Sequence, residues 1–222
     1  MAKRWSPASR LSVGVAGTQA VKNTMVSDSR RIRTFIAVDI DSLLADRIAA
    51  LQTALAKTKA DVRWVERESW HITLKFLGPT LEEQIPQITD AIHRVAAECQ
   101  PWPIELRGLG AFPSLRRPRV LWLGVRDEGR LAQAARALDD ALAPLGFAPE
   151  ERPFQPHLTI GRVRSLKGWE ALEEQIKSLW EESWGEYRAQ EIILYQSDLR
   201  PTGAVYTALW KTPLGKTKGE QK

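Results

Sequence analysis

Apolar and polar residues alternate in some segments of the chain, and apolar residues recur every three to four positions in others. Alternation over four to eight residues is typical of half-buried strands, whereas the longer spacing is typical of amphipathic helices. The pattern predicts strands at residues 33–40, 62–66, 70–78, 104–112, 119–125, 154–163, 191–199 and 204–210. It predicts helices at residues 43–57, 80–99, 127–144 and 167–182. We therefore expect an α+β protein.

The order of these elements occurs twice. Residues 62–125 and 150–211 each contain a strand with a His-x-Thr phrase, then a helix, then two strands joined by a loop that contains proline. A repeated order of this kind predicts two similar structural units. We therefore expect two lobes, related by a pseudo-twofold axis.

Two of the helix starts carry capping signals. Asp41 and Ser42 can cap the first helix. Thr80 and Glu83 have the spacing of a capping box, so the second helix is expected to begin there. Pro86 lies about two turns further on, so the start of that helix is expected to be bent or offset.

The two ends of the chain lack a sustained pattern. Residues 1–30 are rich in Ser, Ala, Arg and Lys and are expected to be a disordered extension. They fit a transit-like segment, or a start placed too early, since Met25 stands shortly before the first strand. Residues 212–222 are expected to be a disordered basic tail. A single bilobal domain is expected over residues 31–211.

The net charge of +5 is concentrated at the ends of the chain. Residues 1–30 carry +4 and residues 211–222 carry +3, so the part between them carries −2, the difference between +5 and +7. Any contact with RNA must therefore come from a local site. The chain has one cysteine and no run of about 18–20 apolar residues, which predicts a cytoplasmic protein without a membrane span.

The His-x-Thr phrases stand in HITLKFLG (71–78) and HLTIGR (157–162). Side chains of a strand alternate between its two faces. In the first strand this predicts His71, Thr73 and Lys75 on one face, and Ile72, Leu74 and Phe76 on the face that packs under the helices. In the second strand it predicts His157 and Thr159 on one face. If the lobes face each other, two imidazoles and two hydroxyl groups converge.

Two imidazoles around one site suit phosphodiester chemistry. A neutral histidine can take a proton from the attacking oxygen, and a protonated one can donate to the leaving oxygen. Threonine hydroxyl groups can donate to the phosphate oxygens. We favour His157 as the base and His71 as the acid, but the pseudo-symmetry leaves the reverse open. The third histidine, His93, falls off the apolar stripe of its helix and is expected on the surface.

The sequence contains few of the residues and motifs that are typical of other kinds of site. A lone histidine in a strand is more often structural than catalytic, and only the matched pair favours function. Metal binding would need carboxylates or further histidines on the same face as the pair, and the two phrases supply none. There is no nucleophile elbow, P-loop or dinucleotide fingerprint. We therefore expect no metal and no cofactor.

Tandem H-x-T phrases with apolar neighbours resemble the 2H phosphoesterase family. With RTFIAVDI, RPRVLWLGV, FQPHLTIGR and the closing QSDL…Y, the chain resembles the RNA 2′,3′-cyclic phosphodiesterase branch, which is also called 2′–5′ RNA ligase-like. The resemblance covers nearly all of residues 31–211. It implies two antiparallel sheets that face a central cleft, with helices on the outside. It also implies metal-independent hydrolysis of RNA or nucleotide 2′,3′-cyclic phosphates to 2′-phosphomonoesters.

The resemblance implies roles for particular residues. His71 and His157 match the catalytic pair, and Thr73 and Thr159 match the hydroxyl groups that bind phosphate. Arg162 matches a basic residue that contacts phosphate or base. Strand alternation would turn its side chain away from the histidines, unless a bulge or a strand end at Gly161 changes the face.

Two aromatic residues are weaker candidates for contact with a base. Phe35 is expected on the cleft face of the first strand, and Phe154 precedes the second His-x-Thr phrase. Core packing explains both equally well.

Two other functions stay open at this point. The first is a module that binds nucleotides or RNA 3′ ends with little turnover, which would need the threonine and arginine contacts but not both histidines. The second is 2′–5′ RNA ligase or phosphodiesterase activity. The expected partners are RNA ends or nucleotides with a 2′,3′-cyclic phosphate, and the expected state is a monomer.

Overall fold

The computed structural model describes residues 30–201 and 203–215. Its strands are β1 (Arg31–Asp39), β2 (Val62–Trp64), β3 (His71–Leu81), β4 (Trp102–Phe112), β5 (Val120–Arg126), β6 (His157–Val163), β7 (Ser183–Ala189), β8 (Glu191–Arg200) and β9 (Gly203–Pro213). Its α-helices are α1 (Ser42–Ala56), α2 (Ile85–Glu98), α3 (Arg130–Leu142) and α4 (Trp169–Ser178). The predicted α+β class is confirmed.

The strands form one curled sheet in the order β7-β4-β5-β6-β3-β1-β8-β9, and β2 pairs with β6. All pairings between these strands are antiparallel. The sheet has a first half, β3-β1-β8-β9, and a second half, β6-β5-β4-β7. Ile72 of β3 pairs with Leu158 of β6 and joins the halves. The two sheets expected from the resemblance are therefore halves of a single sheet.

The helices bury their apolar stripes against this sheet. In α1, Leu44, Ile48 and Leu55 are buried, and they join Ile36 and Ile72 of the strands in one hydrophobic cluster. The Asp41 side chain accepts a hydrogen bond from the Leu43 N–H at 2.8 Å, as the capping signal predicts. Since the helices occupy one face of the sheet, the other face is left for the site.

The chain is interleaved between the two halves. It forms β1 and β3 of the first half, crosses to form β4, β5, β6 and β7, and then returns to add β8 and β9. The hairpin that follows each His-x-Thr strand therefore belongs to the opposite half: β5 pairs with β6, and β8 pairs with β1. Each half is thus completed by strands that are distant in sequence.

The helix predicted over residues 167–182 is too long. It ends at Ser178, and residues 183–189 form β7, which pairs with β4 over Trp102–Arg107. The Leu179 and Trp180 side chains continue the apolar pattern, so local sequence favours helix there. Pairing with the open edge of β4 overrides this preference.

The predicted capping box at Thr80 is also wrong. Thr80 belongs to β3, is fully buried, and exchanges a 2.7 Å hydrogen bond with the Thr34 hydroxyl. A short 3-10 turn follows, and α2 begins only at Ile85, with Pro86 in its first turn. Proline fits this position because the first N–H groups of a helix have no partner within it. The expected offset of the helix start is confirmed.

The folded part of the chain extends beyond the expected boundary. β9 continues to Pro213, and the Leu214 side chain is buried while its N–H donates to the Gln190 carbonyl at 2.8 Å. Residues 212–215 are therefore not a disordered tail. The extension predicted over residues 1–29 and the rest of the tail, 216–222, lie outside the described residues. In the described part, no helix is both long and apolar enough to cross a bilayer.

Candidate active site

The two His-x-Thr strands meet at the centre of the sheet. Ile72 and Leu158 are directly opposed and completely buried. In an antiparallel pair, this register sets His71 beside Thr159 and Thr73 beside His157, all on the face opposite the helices. The side chains of these four residues are half-buried, so they remain open to a ligand. The structure thus brings together the four residues that the sequence selected.

Each histidine is oriented in the same way by its own backbone. The Nδ1 atom of His71 lies 2.8 Å from the Ser69 carbonyl oxygen, and that of His157 lies 2.8 Å from the Gln155 carbonyl oxygen. A carbonyl oxygen can only accept, so each Nδ1 carries a proton. Nε2 is therefore the free atom of each ring, available to accept or donate a proton.

Burial lowers the pKa of both histidines, since it penalises the charged form. The pKa of His71 falls from 6.5 to about 4 through burial, although the hydrogen bond to Ser69 raises it; the nearby positive charges of His157 and Arg162 lower it further. The pKa of His157 is also lowered, chiefly by burial. Both rings are therefore neutral at pH 7 in the free protein.

This shift predicts how the stability of the protein depends on pH. The folded state binds fewer protons than the unfolded state between pH 6.5 and about 4, so stability is lost as pH falls through this range. Replacing His71 by Gln removes this loss. We expect the free energy of unfolding of His71→Gln, relative to wild type, to improve by about 2 kcal/mol between pH 7 and pH 5. Denaturant titrations at the two pH values measure this difference.

The matched control for this titration is His93→Gln. His93 lies on the exposed surface of α2, so its replacement removes one imidazole outside the buried site. An equal pH response of the two variants would contradict a buried, neutral His71.

A β-bulge brings Arg162 to the histidine side of β6. The register to β5 shifts between the pairs Leu121–Gly161 and Trp122–Thr159, so Ile160 is the extra residue. Ile160 and Gly161 are both buried, and Arg162 is exposed on the face of His157 and Thr159. Of the two alternatives that the sequence left open at Gly161, a bulge or a strand end, the structure has a bulge, at the adjacent Ile160. The positive charge of Arg162 also lowers the pKa of His71.

Two further bulges, in β3, turn Lys75 and Phe76 to the opposite faces from those predicted. The register to β1 shifts at Leu74 and again at Leu77. As a result, the Lys75 side chain is only 2% exposed and its ammonium group bonds to Asp139 of α3 and to the Ala148 carbonyl at 2.8 Å. Phe76 instead is 60% exposed. The predictions that Lys75 faces the cleft and that Phe76 packs in the core are wrong.

The Phe35 ring lies on the cleft side of β1, as predicted, but it is only 2% exposed. Its centroid is 4.7 Å from that of His71, and the rings of Tyr195 and Tyr206 contact it at 5.2 and 5.0 Å. No open face is left for a base, so Phe35 acts as a support for His71. Tyr206, 5.0 Å from His71, was not selected as a site residue, since only the fold brings β9 to β3.

Phe154 lies in the loop before β6 and is half-buried. Together with Phe112 and Trp122 it lines a cavity of about 490 Å³ that reaches His157. The sequence singled out neither Phe112 nor Trp122 for the site, because they come from a hairpin that is distant from this loop along the chain.

Among residues 30–201 and 203–215, no three His, Cys, Asp or Glu side chains are grouped so that they could hold a metal ion. The hydroxyl groups of Thr73 and Thr159 make no hydrogen bond, and Arg162 makes no ion pair, with any other described residue. These three groups are therefore available to an anion between the histidines.

A curled antiparallel sheet with one His-Thr pair from each half at its centre is the arrangement expected of a 2H phosphoesterase. A family model described as the 2′-5′ RNA ligase superfamily matches residues 40–199. The chain belongs to this superfamily, and the prediction of an enzyme of the phosphoesterase class is confirmed.

Related proteins match almost over their full length. The RNA 2′,3′-cyclic phosphodiesterase of Methanothermobacter thermautotrophicus is 37% identical over 177 residues, which are 80% of this chain and 96% of the relative. The protein of the same name from Thermotoga maritima is 34% identical over 181 residues, or 81% and 94% of the two chains.

Solved structures show the same fold. The protein TT0787 of Thermus thermophilus is 28% identical and superposes with a TM-score of 0.72, covering 84% of this chain and all of TT0787. E. coli LigT in complex with 3′-AMP is 26% identical and gives a TM-score of 0.69, with coverage of 84% and 100%.

Proposed function

We propose that this protein hydrolyses the 2′,3′-cyclic phosphate of RNA ends or nucleotides to a 2′-phosphomonoester. The observation that carries the proposal is the matched pair of histidines across the Ile72–Leu158 contact, each with Nδ1 bonded to a carbonyl and Nε2 free. Relatives that are named RNA 2′,3′-cyclic phosphodiesterases support the substrate class. The complex of LigT with 3′-AMP supports a nucleotide in this cleft.

In the proposed reaction, water attacks phosphorus and the bond to the 3′-oxygen breaks. The Nε2 atom of one histidine takes a proton from the water, and the Nε2 atom of the other gives a proton to the 3′-oxygen. The products are a 2′-phosphate and a free 3′-hydroxyl group, and the histidines exchange their protonation states. Proton return through solvent resets the pair.

The phosphate has three proposed contacts. The hydroxyl groups of Thr73 and Thr159 flank the pair and donate to the non-bridging oxygens, where charge grows in the transition state. The guanidinium group of Arg162, placed on this face by the bulge at Ile160, adds a charged donor.

Substrate binding raises the pKa of the histidines, so that one ring takes up a proton from solvent. Both histidines are neutral in the free protein at pH 7, but an anionic phosphate between them favours the charged form of a ring. The pKa of His71, lowered to about 4, favours His71 as the neutral base and leaves the acid role to His157. This order is the reverse of our preference from the sequence.

The test is incubation with 2′,3′-cyclic nucleotides and with RNA that ends in a cyclic phosphate, in excess EDTA, followed by product identification. We expect full turnover to a 2′-phosphate, because the mechanism uses protein side chains alone. The rate should also show a bell-shaped dependence on pH, since one ring must be neutral and the other charged.

Activity that disappears in EDTA and returns with zinc or manganese would contradict the proposed mechanism while keeping the substrate. A protein that binds these substrates without turnover would instead be a binding module. The same assay with a 2′–5′ dinucleotide tests the other activity that the family name suggests.

A further inference from the structure

Each imidazole of the site is in contact with an aromatic ring that stands perpendicular to it. The Tyr206 ring lies 5.0 Å from the His71 ring, and the angle between their planes is 87°. The Phe112 ring lies 5.0 Å from the His157 ring, and the angle is again 87°. The two contacts therefore have the same geometry.

The repeat of the fold does not account for this match. Tyr206 stands in β9, which is the outermost strand of the first half, counted from β3. Phe112 is the last residue of β4, which is the third strand of the second half, counted from β6. Two strands that are not equivalent thus bring a ring to the same place beside a histidine. This convergence favours a requirement of the histidines over a consequence of the repeat.

The Tyr206 ring is held by the wall of the first half. Its centroid lies 5.0 Å from that of Phe35, and the Phe35 ring stacks on the Tyr195 ring at 5.2 Å. The Tyr195 hydroxyl donates to the Asp39 carboxylate, and Phe35 is almost completely buried. Tyr206 is therefore backed by side chains that are themselves fixed.

The Phe112 ring is held by the indole of Trp122. The centroids of these two rings lie 5.1 Å apart. The indole in turn lies against the backbone of Gly110, where a Cβ atom would come within 2.3 Å of it. The position of the indole, and through it that of Phe112, therefore depends on the absence of a side chain at Gly110.

A histidine needs more than one contact to keep its orientation. The hydrogen bond between Nδ1 and a carbonyl oxygen holds one corner of each imidazole, but the plane of the ring can still tilt about that bond. A perpendicular aromatic neighbour limits the tilt, because edge-to-face packing is a favoured arrangement of two such rings. The tilt matters for catalysis, since Nε2 must stay within hydrogen-bond reach of the oxygen that it serves.

We propose that Tyr206 and Phe112 are the positioning residues of His71 and His157, and that the aromatic ring of each performs this role. The inference rests on the proposed function, because the two rings act on catalysis only through the histidines. The Tyr206 hydroxyl makes no hydrogen bond with another described residue, and Phe112 has no hydroxyl group, so the ring is the feature that the two share. Loss of a ring should therefore slow proton transfer without weakening substrate binding.

The test replaces each ring by leucine, which fills space but is not planar. On a 2′,3′-cyclic nucleotide, Tyr206→Leu and Phe112→Leu should each lower kcat about 10-fold or more, with KM within about 2-fold of wild type. Tyr206→Phe keeps the ring and should keep kcat within about 2-fold of wild type. The control is Phe147→Leu, which should have wild-type kinetics, since Phe147 is a half-buried residue that packs against the hydrophobic core.

Three kinetic results would overturn the inference. The first is an unchanged kcat in either leucine variant. The second is a loss confined to KM, or a loss in Tyr206→Phe equal to that in Tyr206→Leu, because either would make these residues substrate contacts. The third is an equal loss of kcat in Phe147→Leu, because it would show a general loosening of the fold.

Absence of wild-type turnover would overturn the proposed function instead, and ¹⁵N spectra of the imidazoles at pH 7 then decide the inference. In wild type and Tyr206→Phe we expect distinct shifts for Nδ1 and Nε2 of His71, because the ring is held in one tautomer. In Tyr206→Leu the two shifts should move towards each other as the tautomers mix. Equal spectra for the three proteins would overturn the inference.

Discussion

His71→Ala and His157→Ala should each lower kcat at least ~10²-fold on a 2′,3′-cyclic nucleotide, because a general acid or base contributes roughly 10²–10⁴-fold. The double variant should be little slower than either single variant, since the two rings act as a unit in one proton exchange. Steady-state kinetics at pH 7, with product analysis, measure the loss. Both variants keep the buried Ile72 and Leu158 that join the two halves of the sheet, so both should remain folded.

Two controls separate catalysis from binding. Thr73→Val and Thr159→Val each remove one hydroxyl donor at nearly constant shape and should cost about 10-fold, less than a histidine. His93→Ala, on the surface of α2, should have wild-type kinetics. If both histidine variants keep near-native turnover while Arg162→Ala abolishes substrate binding, the protein is a binding module and the enzyme proposal fails.

Asp139→Ala should have the largest effect on stability. The Lys75 ammonium group is buried against Asp139, and the two side chains are 1% and 18% exposed. Removing the carboxylate leaves a buried positive charge whose remaining partner, among the residues that the structure describes, is the Ala148 carbonyl. We expect a loss of about 3–5 kcal/mol in the free energy of unfolding, as for other broken buried pairs. Denaturant unfolding at pH 7 measures it.

The double variant Lys75→Met/Asp139→Leu is the control for this prediction. Apolar residues of similar volume leave no charge to be desolvated, so the double variant should recover most of the lost stability. A loss below about 1 kcal/mol for Asp139→Ala would show that Lys75 finds water or another partner.

The sequence was sufficient to predict the features that depend on local pattern. The alternation of apolar and polar residues located the strands with His71 and His157. The repeated order of elements predicted that their threonines belong to the same site. Strand alternation and the family resemblance predicted opposite faces for the Arg162 side chain. A bulge at Ile160 resolves this conflict. The sequence pattern is strong at both His-x-Thr phrases, so this part of the site could be predicted.

The sequence could not predict features that depend on distant partners. The bulges at Leu74 and Leu77 are set by the register between β3 and β1, and they exchange the faces of Lys75 and Phe76. β7 forms because the edge of β4 is open, although residues 179–182 have a helical pattern. The Tyr206 ring reaches His71 only because β9 returns to the first half.

The return of the chain to its first half also fixes when the enzyme becomes complete during synthesis. The strands of the second half, β4, β5, β6 and β7, follow one another along the chain, so this half can assemble as soon as Ala189 has left the ribosome. Until β8 appears, the edge of β1 lacks the partner that covers Thr34–Ala37. Until Tyr206 appears, the wall beside His71 is open to water. A nascent chain therefore contains both histidines before it contains the strands, β8 and β9, that enclose His71.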